Sequence, residues 1–167
     1  MRALLGGEIS DILRNLPNTK KIFKGVKTRD VPIPNHVPAS SGYILNNGYS
    51  YAGEHWTAVI FTSKKVLFFD SYGRPPSELH LSSQVKRGFL PIEYNPWPLQ
   101  DRRSSCCGFW CIYYFYFLCR GFEFKTINLN FSKSDFKSND RIVYNFVKKL
   151  AGKWLRTRKK YSSLKTS

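Results

Sequence analysis

The sequence predicts a single α+β domain, and three observations support this fold class. Residues 107–119 read as a helix that is apolar on every side, so we expect it at the centre of the fold. Several short β-rich runs precede it and predict a small, mostly antiparallel sheet packed on that helix. Amphipathic stretches near both ends of the chain predict flanking helices. With 167 residues, the chain is long enough to form one hydrophobic core.

The first part of the chain is predicted to contain one helix followed by an irregular segment. Residues 31–42 are Pro-rich and are expected to run over the surface rather than to link two domains. The helix is predicted over residues 8–16 from four apolar residues at helical spacing: Ile9, Ile12, Leu13 and Leu16.

Four β-rich runs follow this segment. The turn TSK (62–64) joins the second and third runs and predicts that these two strands pair in antiparallel fashion. The runs are GYILN (42–46), WTAVIF (56–61), KVLFFDSYG (65–73) and LPIEYN (90–95).

The last helix is predicted from an apolar stripe that begins after Ser138, the expected N-cap. A basic tail is expected from about residue 153. No internal repeat interrupts the pattern, so residues 1–167 are predicted to form one domain. The stripe consists of Ile142, Val143, Phe146, Val147, Leu150 and Trp154.

Positive charge is the strongest feature of the composition. The chain carries 27 Lys and Arg against 11 Asp and Glu, and residues 101–167 alone hold 15 basic and 4 acidic side chains. This excess favours an anionic partner, first of all nucleic acid, although a merely solvated basic face is the alternative. The cluster predicted to bind nucleic acid is Lys148, Lys149, Lys153, Arg156, Arg158, Lys159 and Lys160.

Two classes of protein are disfavoured by the apolar pattern. No apolar run reaches the roughly 18 residues of a membrane-spanning helix. The first ten residues lack the apolar core of a signal peptide. We therefore expect a protein that is not secreted and that works in a reducing compartment, where thiols stay unpaired.

All four cysteines lie within residues 106–119. Their spacing does not match the paired ligands of a structural zinc site, so no metal is expected. Cys111 and Cys119 are expected to be small buried hydrophobic residues. Cys106 and Cys107 stand at the start of the predicted helix, where the helix dipole and backbone N–H groups favour a thiolate. One of these two is the candidate nucleophile.

A nucleophilic cysteine needs a base, and the base needs an orienting group. Of the three histidines, His55 opens a predicted strand, whereas His36 lies in the Pro-rich segment and His80 follows a turn. Asp70 ends the next predicted strand, so antiparallel pairing would place it beside His55. Each residue alone is equally consistent with a packing or turn role. Together with a cysteine at a helix start they favour catalysis.

Three stretches resemble the motifs of one protease family: GEHW (53–56), FFDSYG (68–73) and QDRRSSCCG (100–108). They are similar to the His-Trp, acidic-residue and Gln…Cys-Gly motifs of the adenovirus proteases (adenains), whose superfamily includes the SUMO-specific proteases. The separation of seven between Gln100 and Cys107 is similar to that in adenains. Asp70 is more similar to the cellular branch, because adenains have Glu at this point. FKGVKTRD (23–30) and NDRIVYNFVKKL (139–150) add to the likeness.

The resemblance implies an adenain-like cysteine protease fold and a set of site residues. It assigns the nucleophile to Cys107, which directly precedes a glycine, and gives Cys106 no role. His55 would be the base, Asp70 its orienting group and Gln100 an oxyanion donor. Substrate contacts are expected from Gly53, Glu54, Trp56 and Gly108, although a core role explains Trp56 equally well.

The resemblance also implies a biological role, that of a monomeric viral maturation protease. Such an enzyme cuts capsid or core precursors after small residues, as in Gly-Gly or Gly-X-Gly, in the virion and host nucleus. DNA, a peptide or both would act as activator. A disulfide-tethered peptide is disfavoured, because no cysteine lies between Asp70 and Cys106.

Two alternatives stay open at this point. One is a protease of the same superfamily that removes SUMO or ubiquitin from conjugates, which Asp70 favours. The other is a non-catalytic, basic nucleic-acid-binding module in which the cysteines belong to the core.

Overall fold

The computed structural model describes residues 2–50 and 54–163, with side chains up to residue 152. They form an α+β fold, as the sequence predicts, with a five-stranded sheet in the order β1-β2-β3-β4-β5. The elements are α1 (Gly6–Asn15), β1 (Phe23–Lys27), β2 (Ser41–Asn46), β3 (Trp56–Phe61), β4 (Val66–Phe69), α2 (Ser82–Val85), β5 (Ile92–Tyr94), α3 (Cys107–Leu118), α4 (Phe124–Asn128) and α5 (Phe136–Ser163). None of the described helices is long and apolar enough to cross a membrane.

The sheet is antiparallel at its centre and parallel at both edges. Strand β3 pairs antiparallel with β2 and β4, as the short turn predicts. Strand β1 runs parallel to β2, and β5 runs parallel to β4. The prediction of a mostly antiparallel sheet therefore holds only for the three central strands. Long irregular connections, residues 28–40 and 70–91, make the parallel edges possible, because parallel strands cannot be joined by a tight turn.

Three elements were missing from the sequence-based prediction: β1, α2 and α4. Strand β1 contains Gly25 at a φ of 148°, and its pairing register with β2 shifts between Phe23 and Gly25. Such a bulge interrupts the alternation that reveals a strand. The helices α2 and α4 have four and five residues, which is too short for a helical period to emerge.

Helix α3 lies on one face of the sheet and is buried except at Tyr116 and Phe117. Tyr114 stacks on Phe69 of β4 with ring centroids 3.7 Å apart. On β2, a Cβ at Gly42 would lie 2.7 Å from the ring of Phe115, so only glycine allows this close approach. Helices α1, α4 and α5 contact the remaining sides of α3. The predicted central helix is thus confirmed.

The opposite face of the sheet carries a second apolar cluster, which the sequence analysis did not foresee. Ile33 from the Pro-rich segment and Leu81 and Val85 near α2 pack against the outward side chains of the sheet, such as Val59 and Phe68. Both faces are therefore covered. This explains why β2 is buried at every position and shows no polar alternation.

The first and last helices both begin earlier than predicted. Helix α1 starts at Gly6 because the Glu8 carboxylate accepts the Leu5 N–H and pairs with Arg2. Helix α5 starts at Phe136 because the carboxylate of Asp135 accepts the Ser138 N–H at 3.0 Å. Ser138 as N-cap was therefore wrong. Residues 153–163, predicted as a tail, continue α5.

A buried hydrogen bond joins α3 to α5. Trp110 Nε1 donates to Asp140 Oδ1 at 2.7 Å, and both residues are almost fully buried. Burial raises the pKa of Asp140, although Ser104 and Trp110 oppose that rise by hydrogen bonding to the carboxylate. Burying this carboxylate costs free energy of folding, and in that position it serves as the acceptor of the Trp110 indole N–H.

We expect Asp140→Ala to lower the free energy of unfolding by about 2 kcal/mol, because it leaves the Trp110 N–H buried without an acceptor. Asp140→Asn keeps an acceptor oxygen and removes a buried charge, so its loss should be less than half as large. Urea denaturation at neutral pH measures both variants. Equal losses would contradict the assigned hydrogen bond.

Candidate active site

The candidate site forms where the two central strands reach the start of α3. His55 directly precedes β3 and Asp70 directly follows β4, and the antiparallel pairing of these strands brings both to one end of the sheet. His55 Nε2 lies 2.5 Å from Asp70 Oδ1. The structure thus contains the contact that the strand register predicts.

Asp70 is fully buried and is held from three directions. Its main chain is clamped by Asn95, which accepts the Asp70 N–H at 3.1 Å and donates to the Asp70 carbonyl at 2.8 Å. Arg74 donates to Asp70 Oδ2 through its backbone N and its Nε, both at 3.0 Å. Burial raises the pKa of Asp70, but the bonds from His55 and Arg74 outweigh it and hold the pKa below its ordinary value. The carboxylate therefore stays ionised beside His55.

A tight turn after Asp70 brings Arg74 back to the carboxylate. Gly73 donates its N–H to the Asp70 carbonyl at 2.9 Å and has a φ of 74°, in the left-handed region. A Cβ at Gly73 would lie 2.6 Å from the main chain of Trp97. Glycine is therefore required both for the backbone conformation and for the close approach.

Cys107 is the first residue of α3, and its sulfur lies close to His55 and to the backbone N–H groups of Trp56 and Gly108. Burial raises the pKa of the Cys107 thiol, but the bond and charge of His55 and the two N–H groups bring it below its ordinary value. Burial lowers the pKa of His55, whereas Asp70 and Cys107 raise it above its ordinary value. Both shifts favour a thiolate paired with an imidazolium.

The imidazole of His55 is held between its two partners by a stacked ring. Tyr72 lies parallel to it, with ring centroids 5.0 Å apart and an interplanar angle of 25°. The guanidinium of Arg74 lies 5.1 Å from the centroid of the same Tyr72 ring. Because Nε2 of His55 bonds with Asp70, Nδ1 is the ring nitrogen available to Cys107.

Gln100 is buried close to the site and belongs to a hydrogen-bonded chain. Its Oε1 accepts from Ser71 Oγ at 2.7 Å, and its Nε2 donates to the carbonyl and Oγ of Ser104 at 3.0 and 3.1 Å. The Ser104 hydroxyl also contacts the carboxylate of Asp140. The amide is thus fixed in position, with its N–H groups directed at Ser104 in this state.

In the other three cysteines the pKa of the thiol is raised, whereas that of Cys107 is lowered. Burial raises the pKa of Cys106 to about 11 and that of Cys119 to about 12, and it also raises that of Cys111 well above its ordinary value. None of the four cysteines forms a disulfide. Over the described ranges, no group of three or more His, Cys, Asp or Glu residues is placed to hold a metal ion.

A cleft opens beside the catalytic candidates, and we name it the active-site cleft. Its lining includes Glu54, His55, Trp56, Tyr72 and Cys107, together with Ala3 to Leu5 of the N-terminal segment. Two residues with predicted substrate contacts, Glu54 and Trp56, therefore face this cleft.

The other two residues with predicted substrate contacts differ. Gly108 is buried, and a Cβ there would lie 3.1 Å from Leu4 Cβ and 3.2 Å from Ile9 Cδ1. The space beside Gly108 is thus filled by the chain's own N-terminal residues, and its contact with substrate stays a prediction. Gly53 lies outside the described residues.

The residues predicted to bind nucleic acid lie on α5. Lys148 and Lys149 are exposed there, and Lys148 Nζ lies 5.9 Å from the centre of the Tyr144 ring. The side chains of Lys153, Arg156, Arg158, Lys159 and Lys160 fall outside the described part of the chain.

Sequence reasoning missed the residues that hold the site in place. Arg74, four residues after Asp70, and Asn95, at the end of a predicted strand, both carried visible polar side chains. The sequence does not reveal the partner of either residue. The contact of Arg74 depends on the turn after Asp70, and that of Asn95 depends on the pairing of β5 with β4. For Ser104, two residues before Cys106, the sequence likewise gave no indication of its contacts.

Comparison with known proteins adds one finding. No protein-family model matches the sequence, and no curated protein matches it significantly. Among solved structures, the chain is similar to the ASFV pS273R protease, with a TM-score of 0.54 and 18% sequence identity. The match covers 87% of this chain and 66% of that protein, so the chain spans just under two thirds of its length.

At this identity the likeness establishes the fold and nothing finer. The α+β architecture found here is therefore one that a known protease also has.

Proposed function

We propose that this protein is a cysteine endopeptidase that uses Cys107 as nucleophile, His55 as base and Asp70 as orienting carboxylate. The observation that carries the proposal is the buried Asp70–His55–Cys107 series, in which the pKa of Cys107 is lowered and that of His55 is raised. A cysteine retained only for packing would resemble Cys111, whose pKa burial raises.

The reaction begins when the Cys107 thiolate attacks the scissile carbonyl carbon, forming an S–C bond and a tetrahedral oxyanion. Protonated His55 then gives its proton to the leaving amine as the C–N bond breaks. Water, deprotonated by His55, hydrolyses the thioester and releases the thiolate. Asp70 accepts the other ring N–H throughout and stabilises the imidazolium.

Oxyanion stabilisation is assigned to the backbone N–H of Cys107 and the side-chain amide of Gln100. One such donor is typically worth about 3 kcal/mol in the transition state. In this state Gln100 Nε2 donates to Ser104 instead. One of its N–H groups must therefore turn from Ser104 towards the oxyanion when substrate binds.

The proposed substrates are capsid or core precursor proteins, cut after small residues such as Gly-Gly or Gly-X-Gly. The resemblance of the motifs to adenains supports this role, as does a fold similar to that of the ASFV protease. The enzyme would act in the virion and the host nucleus as a monomer. No metal takes part in the proposed mechanism.

DNA is the proposed activator or tether, with a peptide activator as a further component. The net charge of +16 and the exposed Lys148 and Lys149 on α5 support this partner. Binding to a packaged polyanion would keep the enzyme close to its substrates.

Cys107→Ala is expected to abolish hydrolysis of a quenched fluorescent peptide with a central Gly-Gly, because it removes the nucleophile. Cys106→Ala should retain most of the activity, since Cys106 has a raised pKa and no assigned step. Equal loss in both variants, with both still folded by circular dichroism, would contradict the assignment of Cys107.

Iodoacetamide should alkylate Cys107 first, and at a lower pH than an ordinary thiol requires. A thiolate exists only above its pKa, so a lowered pKa moves the alkylation profile to lower pH. His55→Ala removes the largest lowering contribution and should move the profile upward. Mass spectrometry of digested protein locates the label, and faster labelling of Cys119 or Cys106 would overturn the proposed ion pair.

Duplex DNA is expected to accelerate peptide hydrolysis at low salt and to lose this effect as salt is raised. The double variant Lys148→Glu/Lys149→Glu should weaken DNA affinity by more than about tenfold. A matched control, Lys64→Glu/Lys125→Glu, changes the same charge at exposed sites away from α5. Hydrolysis that is indifferent to DNA in every variant would favour the deconjugating alternative, to be assayed on SUMO and ubiquitin conjugates.

A further inference from the structure

A second groove adjoins the active-site cleft between α1 and the edge strand β1. We name it the β1 groove. Its walls are formed by the outer part of α1, the length of β1 and the end of β2. Its lining includes Ser10, Arg14, Lys24, Lys27, Tyr49 and Trp56.

The β1 groove is continuous with the active-site cleft. Leu5, Asn46 and Trp56 line both. The indole of Trp56 is fixed at this junction, because its Nε1 donates to the Leu4 carbonyl at 3.1 Å. A chain that passes Cys107 in an extended conformation can therefore run past Trp56 into the β1 groove.

Among the described residues that line the β1 groove, every Lys, Arg, Asp or Glu side chain is a cation. Arg14 and Lys24 are exposed, and Lys27 is half-buried. Arg14 donates to Ser10 Oγ and Lys24 to the Lys21 carbonyl, so neither positive charge is neutralised there by a carboxylate. Across the described part of the chain, none of the three forms an ion pair.

The ionised carboxylate of Asp30 offsets part of this charge, but the three cations that line the β1 groove outweigh it. Asp30, beyond the end of β1, receives the N–H and hydroxyl of Ser50, and the Ser50 hydroxyl is the main reason why its pKa falls to about 2. In the active-site cleft, Glu54 is acidic, and the Arg74 beside it is already paired with Asp70. Positive potential therefore increases along the path from Cys107 into the β1 groove.

The backbone of β1 adds a second means of binding. β1 is an edge strand that pairs with β2 alone. The outward N–H and C=O groups of such a strand can hydrogen-bond with an extended peptide. A duplex nucleic acid offers no such strand-like backbone, so a peptide fits the groove better than DNA does.

We propose that the β1 groove binds an acidic, extended segment of the protein substrate that flanks the scissile bond. This inference rests on the proposed function, because it assigns a specificity site to the same catalytic cleft. Arg14, Lys24 and Lys27 would select Asp- or Glu-rich flanks by charge, and Trp56 would separate this site from the cleavage site.

The test uses three quenched peptides with the same central Gly-Gly and flanks rich in Glu, Gln or Lys, each made with the flank on either side of the bond. We expect kcat/KM to be higher for one of the Glu-flanked peptides than for its Lys-flanked counterpart by about fivefold or more at low salt. The preference should shrink as salt is raised.

The double variant Lys24→Glu/Lys27→Glu should abolish or invert that preference and change the rate for the Gln-flanked peptide less than the rate for either charged peptide. Lys64→Glu/Lys125→Glu carries the same change in net charge away from the groove and should keep the wild-type preference. A simple loss of folding would slow all three peptides equally, so the change in preference separates recognition from structure.

Binding provides a readout that does not depend on catalysis. Fluorescence anisotropy with Cys107→Ala protein should show tighter binding of the Glu-flanked peptide, and this difference should disappear when Lys24→Glu/Lys27→Glu is added. Equal binding of Glu- and Lys-flanked peptides would overturn the proposal, as would a double variant that changes only DNA affinity. Cleavage of the Gln-flanked peptide by the unaltered enzyme, lost in Cys107→Ala, tests the proposed function separately.

Discussion

The burial of α3 is the constraint on which the rest of the structure depends. A helix of aromatic and aliphatic residues without a polar side must be covered on every side. The sheet covers one side, with Phe69 stacked on Tyr114, and α1, α4 and α5 cover the others. At the N-terminus of the helix, Cys107 reaches the active-site cleft beside the end of the sheet. The position of Cys107, the proposed nucleophile, is thus a consequence of the core.

Placing the site against a core has an electrostatic cost, and the surrounding residues offset it. Asp70 is a fully buried carboxylate, which is unfavourable unless it is paired and hydrogen-bonded. His55 and Arg74 supply charge, while Asn95 fixes the backbone on which the carboxylate sits. The same pairing raises the pKa of His55 and helps to lower that of Cys107. Stability and reactivity of the site therefore depend on one network.

Gln100 and the N-terminal segment connect this network to the outer elements. Gln100 donates to Ser104, which lies beside Asp140, and Asp140 accepts from Trp110, so α5 is close to the proposed oxyanion donor through these two side chains. On the other side, the Leu4 carbonyl holds the indole of Trp56 at the junction of the active-site cleft and the β1 groove. Trp56, which lines both clefts, is thus held in place by the N-terminal segment.

The sequence by itself determined the class of the fold, the central helix and the meeting of His55 with Asp70. These depend on local signals: an apolar run, a short turn and the residues at strand ends. Only the tertiary structure decided the parallel edge strands, the second apolar layer and the partners Arg74, Asn95 and Ser104. These depend on long connections and on contacts between residues distant in sequence, such as Asp70 and Asn95. A pattern along one chain records which side chains are apolar or polar, but it does not record which distant residue each will contact.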